Sequence, residues 1–166
     1  MKPEMPIPEL GGVVASALAE VLATQFKLPV IASDTPSADQ SEQCLIGTVK
    51  LTGELLSGDV RLELPEAFVT MITAALHETE VARIMDEEIV DMTGELCNML
   101  AGRIAATLAA IGHSSILSVP TVARGRLPEF ENAPRAETSW TNWTCEGHLL
   151  KVVVQLASGR DEPENP

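Results

Sequence analysis

Three side chains in one stretch are of the kind that can act on a reacting group: Asp91, Glu95 and Asn98, within the run from Asp86 to Gly112. Glu95 and Asn98 are three positions apart. On a helix that spacing points both side chains the same way, one turn apart. A carboxylate pairs with a cation, and an amide both donates and accepts hydrogen bonds. Gly94 and Gly102 flank the pair. Each glycine inside a helix destabilises it by ~1 kcal/mol relative to alanine. One reading is access, since small residues around a carboxylate and an amide let another molecule approach the helix. The other is a solvated face that tolerates glycine.

The element that must carry these residues is one long helix over Asp86 to Gly112. At about 100° per residue, Ile89, Met92, Leu96, Leu100, Ile104 and Ile111 form an apolar stripe with Met99 at its edge. Such a stripe faces a core. Asp91, Gly94, Glu95, Asn98, Gly102, Ala105 and Ala109 fall opposite. Asp86 is placed to cap the start of this helix, and Gly112 suits its end.

The rest of the chain supplies a scaffold. Met1 to Glu9 contains three prolines and reads as a loose arm. Gly12 to Phe26 reads as a first helix, Ala32 to Gln43 as a polar loop, and Cys44 to Leu64 as a hairpin turning at Ser57-Gly58. Pro65-Glu66 opens a second helix reaching His77, with Phe68, Ile72 and Leu76 on its buried side. Ser115 to Arg124 reads as a strand, at a sheet edge or bulged because of Pro120. A loop from Gly125 to Thr138 follows, then a hairpin of Ser139 to Cys145 and His148 to Leu156 around Glu146-Gly147. Ser158 to Pro166 reads as a disordered tail. The order gives an α+β domain over residues 10–157, helices packed on an antiparallel sheet, with a hint of two similar halves.

The 166 residues suit one domain, and 45% of them are hydrophobic. The net charge of −13 argues against nucleic acid and against anionic membrane surfaces as partners. No apolar run has transmembrane length and no secretory signal is evident, so the expected location is the cytoplasm. Cys44, Cys97 and Cys145 form neither a zinc pattern nor a disulfide framework. Cys97 falls on the core side of the long helix and reads as a packing residue. His77, His113 and His148 lack metal-ligand spacing. Ser114-Ser115 has no nucleophile-elbow context, and no glycine loop carries a phosphate-binding Lys-Ser or Lys-Thr.

The pattern Asp91-x-x-x-Glu95-x-x-Asn98-x-x-x-Gly102, inside GELCNMLAGR and followed by Ser118-Val119-Pro120-Thr121-Val122 and Gly125, resembles the signature of the CheC/CheX family of chemotaxis phosphatases, its CheX-type members in particular. The segment LIGTVKLTGELLSGDVRL, Leu45 to Leu62, is similar to that family's first hairpin. The resemblance implies a CheC/CheX-like fold with pseudo-symmetric halves. It implies an aspartyl-phosphate phosphatase whose substrate is a phosphorylated response-regulator receiver domain of the CheY type.

On that resemblance Asn98 would orient the attacking water, as a glutamine does in GTPases, and Glu95 would pair with the receiver's lysine. Asp91, Gly94 and Gly102 would serve docking. The protein would need no cofactor of its own, the receiver bringing its Mg²⁺. Some relatives carry a second Glu-x-x-Asn on the first helix; here Glu20 is followed by Ala23, so one site is expected. A homodimer through sheet edges is also implied, with Val152 to Leu156 as an apolar edge strand. The same fold serves in flagellar switch components, so the competing reading is a non-catalytic interaction or assembly protein. An exposed Glu95/Asn98 pair favours catalysis; one covered by residues 126–138 favours an inhibited or structural role.

Overall fold

The computed structural model describes residues 9–33, 42–128 and 136–158. Helix α1 (Leu10–Phe26) leads into a three-residue strand β1 (Ile31–Ser33). Strands β2 (Cys44–Gly53) and β3 (Leu56–Pro65) form the first hairpin, and helix α2 (Glu66–Leu76) follows directly. A single 3₁₀ turn (Val81–Arg83) leads to helix α3 (Asp86–Ala110). Two short strands, β4 (Ser115–Leu117) and β5 (Thr121–Arg124), precede the second hairpin, β6 (Ala136–Cys145) and β7 (His148–Ser158).

Among the described residues, seven strands make one antiparallel sheet in the order β1-β6-β7-β3-β2-β4, with β5 also on β2. Alternation decides which face the helices cover. Leu45, Gly47, Val49 and Leu51 of β2 lie in register with Leu64, Leu62, Val60 and Gly58 of β3. Val60, Leu62 and Gly58 continue to Val154, Val152 and Leu156 of β7. These buried ladders pack with Val14, Leu18 and Leu22 of α1, Phe68 and Ile72 of α2, and Leu96, Leu100, Ile104 and Leu108 of α3 in one core. The domain is thus three helices on one antiparallel sheet, an α+β layer arrangement. Its halves, α1-β1-β2-β3 and α3-β4/β5-β6-β7, interlock: the strand after each helix pairs with the hairpin of the other half.

Several expectations are corrected. The first hairpin turns at Glu54 and Leu55, and Ser57-Gly58 lies within β3. Gly58 is there for contact: a Cβ would sit 1.8 Å from the carbonyl oxygen of Gln155 on β7. The Ser57 hydroxyl closes the hairpin mouth, accepting from the Gly53 N–H and donating to the Gly53 carbonyl, both at 3.2 Å. Ala32 and Ser33 belong to β1 rather than a loop. Leu76 is 52% exposed, the buried side of α2 being Phe68, Val69, Ile72, Thr73 and Ala74. Val152 to Leu156 is no edge, because β7 is paired on both sides; the sheet ends at β1 and at β4/β5.

The Pro120 expectation holds in its edge form. Ser115 to Arg124 divides into β4 and β5 around residues 118–120, and among the described residues both pieces pair only with β2. The second hairpin turns at Glu146-Gly147, whose φ values of 50° and 76° are those of the turn type that matches strand twist. Ser158 ends β7. The rest of the tail, residues 1–8 of the arm, residues 34–41 of the first loop and residues 129–135 of the second lie outside the described residues.

Candidate functional site

Close contact with β2 fixes the height of α3 above the sheet. A Cβ on Gly47 would lie 2.7 Å from Cys97 Cβ and 3.2 Å from the Thr93 carbonyl oxygen. Only glycine lets the helix backbone come this near. Cys97 is fully buried there, its thiol donating to the Val60 carbonyl at 3.6 Å. Burial pushes that thiol up to about 12. It is therefore protonated at neutral pH and packs as an apolar group, without the thiolate that redox or nucleophilic chemistry requires.

The start of α3 is anchored differently from the sequence expectation. Met85, not Asp86, occupies the cap position. Glu88 reaches back to accept the Met85 N–H at 2.7 Å, the return half of a capping box. Asp86 instead pairs with Arg124 of β5, which also donates to Glu66 at 2.7 Å. One guanidinium thereby ties the first turns of α2 and α3 to the sheet edge. Its exposure keeps this pairing a modest contribution.

With the helix so placed, Asp91, Glu95 and Asn98 are exposed and Gly102 is half-exposed. A Cβ on Gly102 would meet nothing within 4 Å. Among the described residues, neither the Glu95 nor the Asn98 side chain has a hydrogen-bond or ion-pair partner. The face offers an anionic acceptor, an uncommitted amide and a bare stretch of helix backbone.

Two residues assigned to that face are not on it. Ala105 is buried. Gly94 is buried too, the position of its missing Cβ lying 3.4 Å from Val122 Cγ2 and 3.7 Å from Pro120 Cγ. Its smallness seats the 118–122 segment against the helix. Asn98 lies one turn beyond Gly94 and about 40° around the axis, so this segment borders the Asn98 side of the open face. Arg103 lies about 180° from Gly94 and holds Glu20 of α1 at 2.5 Å. The open face thus lies between the 118–122 segment and α1.

Sequence reading missed Gly47, whose signal was a glycine inside a strand pattern. It also missed the surface beside Pro120. The weaker candidates fall into structural roles: His148 packs on Phe68 with ring centroids 5.7 Å apart, and His77 lies 3.3 Å from Glu88. Among the described residues there is no cluster of His, Cys, Asp and Glu able to hold a metal ion. No described helix is long and apolar enough to cross a membrane.

A family model described as chemotaxis phosphatase CheX matches residues 45–141, more than half of the chain and all of α3. No curated protein matches it. Among solved structures, the chain is similar to the chemotaxis protein CheX from Vibrio vulnificus, with 19% identity and a TM-score of 0.71 over 90% of this chain and 97% of that one. A CheC-like superfamily protein from Shewanella sp. PV-4 gives 16% identity and a TM-score of 0.73 over 92% and 99%. The CheX-CheY-BeF3-Mg²⁺ complex from Borrelia burgdorferi gives 17% identity and a TM-score of 0.68 over 90% and 98%. At these identities the structural likeness establishes the fold.

Proposed function

The chain belongs to the CheX family of chemotaxis phosphatases, and on that premise we propose that it hydrolyses the aspartyl phosphate of a CheY-type receiver domain, with Asn98 and Glu95 as its working residues. The observation that carries this reading is the exposure of both side chains, without intramolecular partners among the described residues, on a helix face open to a docking body. The Borrelia relative was solved with CheY, BeF3 and Mg²⁺, which supports a receiver as the partner.

An aspartyl phosphate is already reactive, and its hydrolysis is mainly a matter of positioning and charge stabilisation. The receiver brings Mg²⁺ and a lysine to its phosphoryl oxygens, so the phosphatase needs no metal or cofactor of its own. What it adds is an ordered water in line with the bond to be broken. The Asn98 amide accepts from that water with its oxygen and donates with its nitrogen. The water oxygen bonds to phosphorus as the phosphorus–carboxylate oxygen bond breaks. The products are inorganic phosphate, the free aspartate carboxylate and a proton released to solvent.

Glu95 pairs with the receiver's lysine and fixes the register of docking. Neither residue serves as a general base. Gly102 admits the partner close to the helix, and Asp91 contributes to docking from the same face. Gly94 acts indirectly by seating the 118–122 segment. Positioning of this kind accounts for ~10²-fold in rate.

The test is the decay of a phosphorylated CheY-type receiver with Mg²⁺, alone and with the native protein, Asn98→Ala or Glu95→Ala. The native protein should accelerate decay. Asn98→Ala should lose about 10²-fold of that rate with binding retained, and Glu95→Ala should chiefly raise KM. Receivers bound but not accelerated would instead assign the non-catalytic interaction role.

A further inference from the structure

We infer that the turn Ser118-Val119-Pro120 is a second contact for the docked receiver and sets how tightly it is held. This rests on the receiver reading of the Glu95/Asn98 face. Val119 is 83% exposed, the highest value among the exposed large hydrophobic residues. It lies in the break between β4 and β5, at a sheet edge that among the described residues pairs with β2 alone. Ile116 pairs with Thr52 and so belongs to the sheet face away from the helices.

That break is rigid. The Ser118 N–H donates to the Lys50 carbonyl and the Lys50 N–H donates to the Ser118 hydroxyl oxygen, both at 2.9 Å. The Ser118 hydroxyl in turn donates to the Val119 carbonyl at 3.1 Å. A serine side chain thereby replaces the ladder bond that the break removes. On the other side Pro120 rests against Gly94 of α3. Val119 is thus a stiff, β-branched side chain on a turn pinned to both β2 and the motif helix. Covering a group already held in place loses little conformational entropy.

The choice of occupant follows from continuity and area. A stable protein–protein contact buries roughly 800 Å² on each partner, far more than Asp91, Glu95, Asn98 and Gly102 can present. A receiver seated with its phosphoryl group at Asn98 must therefore cover a flank of the open face. The α1 flank carries the Glu20–Arg103 ion pair, which is costly to desolvate. The 118–120 flank offers the exposed apolar side chain of Val119, borders the Asn98 side, and yields favourable burial.

The experiment compares the native protein with Val119→Asp and Ile116→Ser in three measurements: KM and kcat on a phosphorylated CheY-type receiver, Kd for the same receiver loaded with beryllofluoride and Mg²⁺ as a phosphoryl mimic, and the oligomeric state of the free protein. Val119→Asp should raise KM and Kd about tenfold, leave kcat at saturation within about twofold, and leave the oligomeric state unchanged. Ile116→Ser, on the sheet face away from α3, should leave all three readings unchanged. Native acceleration with KM and Kd untouched by Val119→Asp would overturn the inference and leave the phosphatase reading standing. A changed oligomeric state with unaltered receiver affinity would also overturn it, assigning the turn to a second copy of the chain. Binding weakened by Val119→Asp without native acceleration would keep the turn and sink the catalysis. A native protein that neither binds nor accelerates any receiver would sink both.

Discussion

The hairpin β2–β3 and the hairpin β6–β7 begin 92 positions apart, at residues 44 and 136, and again at 56 and 148. The pairing of Asp59 with Gln155 maps under that offset onto the pairing of Glu63 with Lys151. The helices follow a different offset. Lys27 and Gly112 just beyond their ends both have positive φ, 54° and 96°. Ile31 pairs with Thr144, and Ile116 with Thr52, so each falls opposite an equivalent threonine. Those two matches lie 85 positions apart, but the helix bodies lie 86 apart: Leu96, Leu100, Ile104 and Leu108 fall on Leu10, Val14, Leu18 and Leu22, all buried. Glu95 and Asn98 then correspond to Glu9 and Gly12, both exposed, with Glu9 at the cap position of α1. In one half these positions are an acid and an amide in the body of a helix. In the other the acid sits at the helix start and glycine stands in place of the amide. Glu20, which sequence spacing singled out, is not equivalent to Glu95 and is paired with Arg103.

The hairpins differ in the same direction. Gly47 of β2 corresponds to Ser139 of β6, both on the helix-covered face. The missing side chain at Gly47 allows α3 to lie against β2 at Cys97, while β6 carries a buried serine under the other half. A near-symmetric frame thus holds the motif helix close to the sheet, while the matching outward face of the first helix carries no amide.

The most disruptive challenge to this comparison sets the motif's residue types on the buried side of the first helix. Leu10→Glu with Val13→Asn removes two buried apolar side chains and sets a carboxylate and an amide against the core. The expected loss is about 4 kcal/mol, a fall in Tm of roughly 8–16 °C for a domain of this size, with no gain in phosphatase rate. Thermal unfolding and the receiver decay assay read the two parts. A stable variant with a second active face would end the distinction between the halves.

A smaller change exchanges only the floor. Gly47→Ser gives β2 the residue that β6 carries, and its Cβ must displace Cys97 and α3 with it. Overpacking at such a contact costs about 2 kcal/mol, or roughly 4–8 °C in Tm, and moving the helix should lower kcat more than it raises KM. Ser139→Gly, the reverse exchange, should cost only about 1 kcal/mol through backbone freedom and leave turnover alone. Equal effects from the two would show that α3 gains nothing from its closeness to β2.

What could be read from the sequence divides along similar lines. The stripe of Ile89, Met92, Leu96, Leu100 and Ile104 and the outward face of Glu95 and Asn98 followed from helical periodicity, because that signal is local. Gly94 did not: its burial depends on a strand edge crossing beside the helix, and periodicity says nothing of what lies alongside. Strand order is non-local in the same way, yet a trace of it was present. Val152, Val153 and Val154 are consecutive and all buried, the continuous apolar run of a strand covered on both faces, which already spoke against an edge. Gly58 gave a true glycine signal with two possible causes, a turn or a close approach, and only the neighbour at Gln155 separates them.

The finest distinction concerns two glutamates. Glu20 and Glu95 both project from long helices, but only Glu20 has a cation beside it, Arg103 at 2.5 Å. That pair is about half exposed on each side, so solvent and salt screen it and its contribution to stability is at most ~1 kcal/mol. Glu20→Gln should lower Tm by no more than a few degrees, the loss shrinking as salt is raised, with KM and kcat for the receiver unchanged. Glu95→Gln, at a side chain with no described partner, should leave Tm alone and raise KM. A raised KM in Glu20→Gln would mean that the docked receiver also reaches over α1, which would widen the contact beyond the flank bordered by Val119.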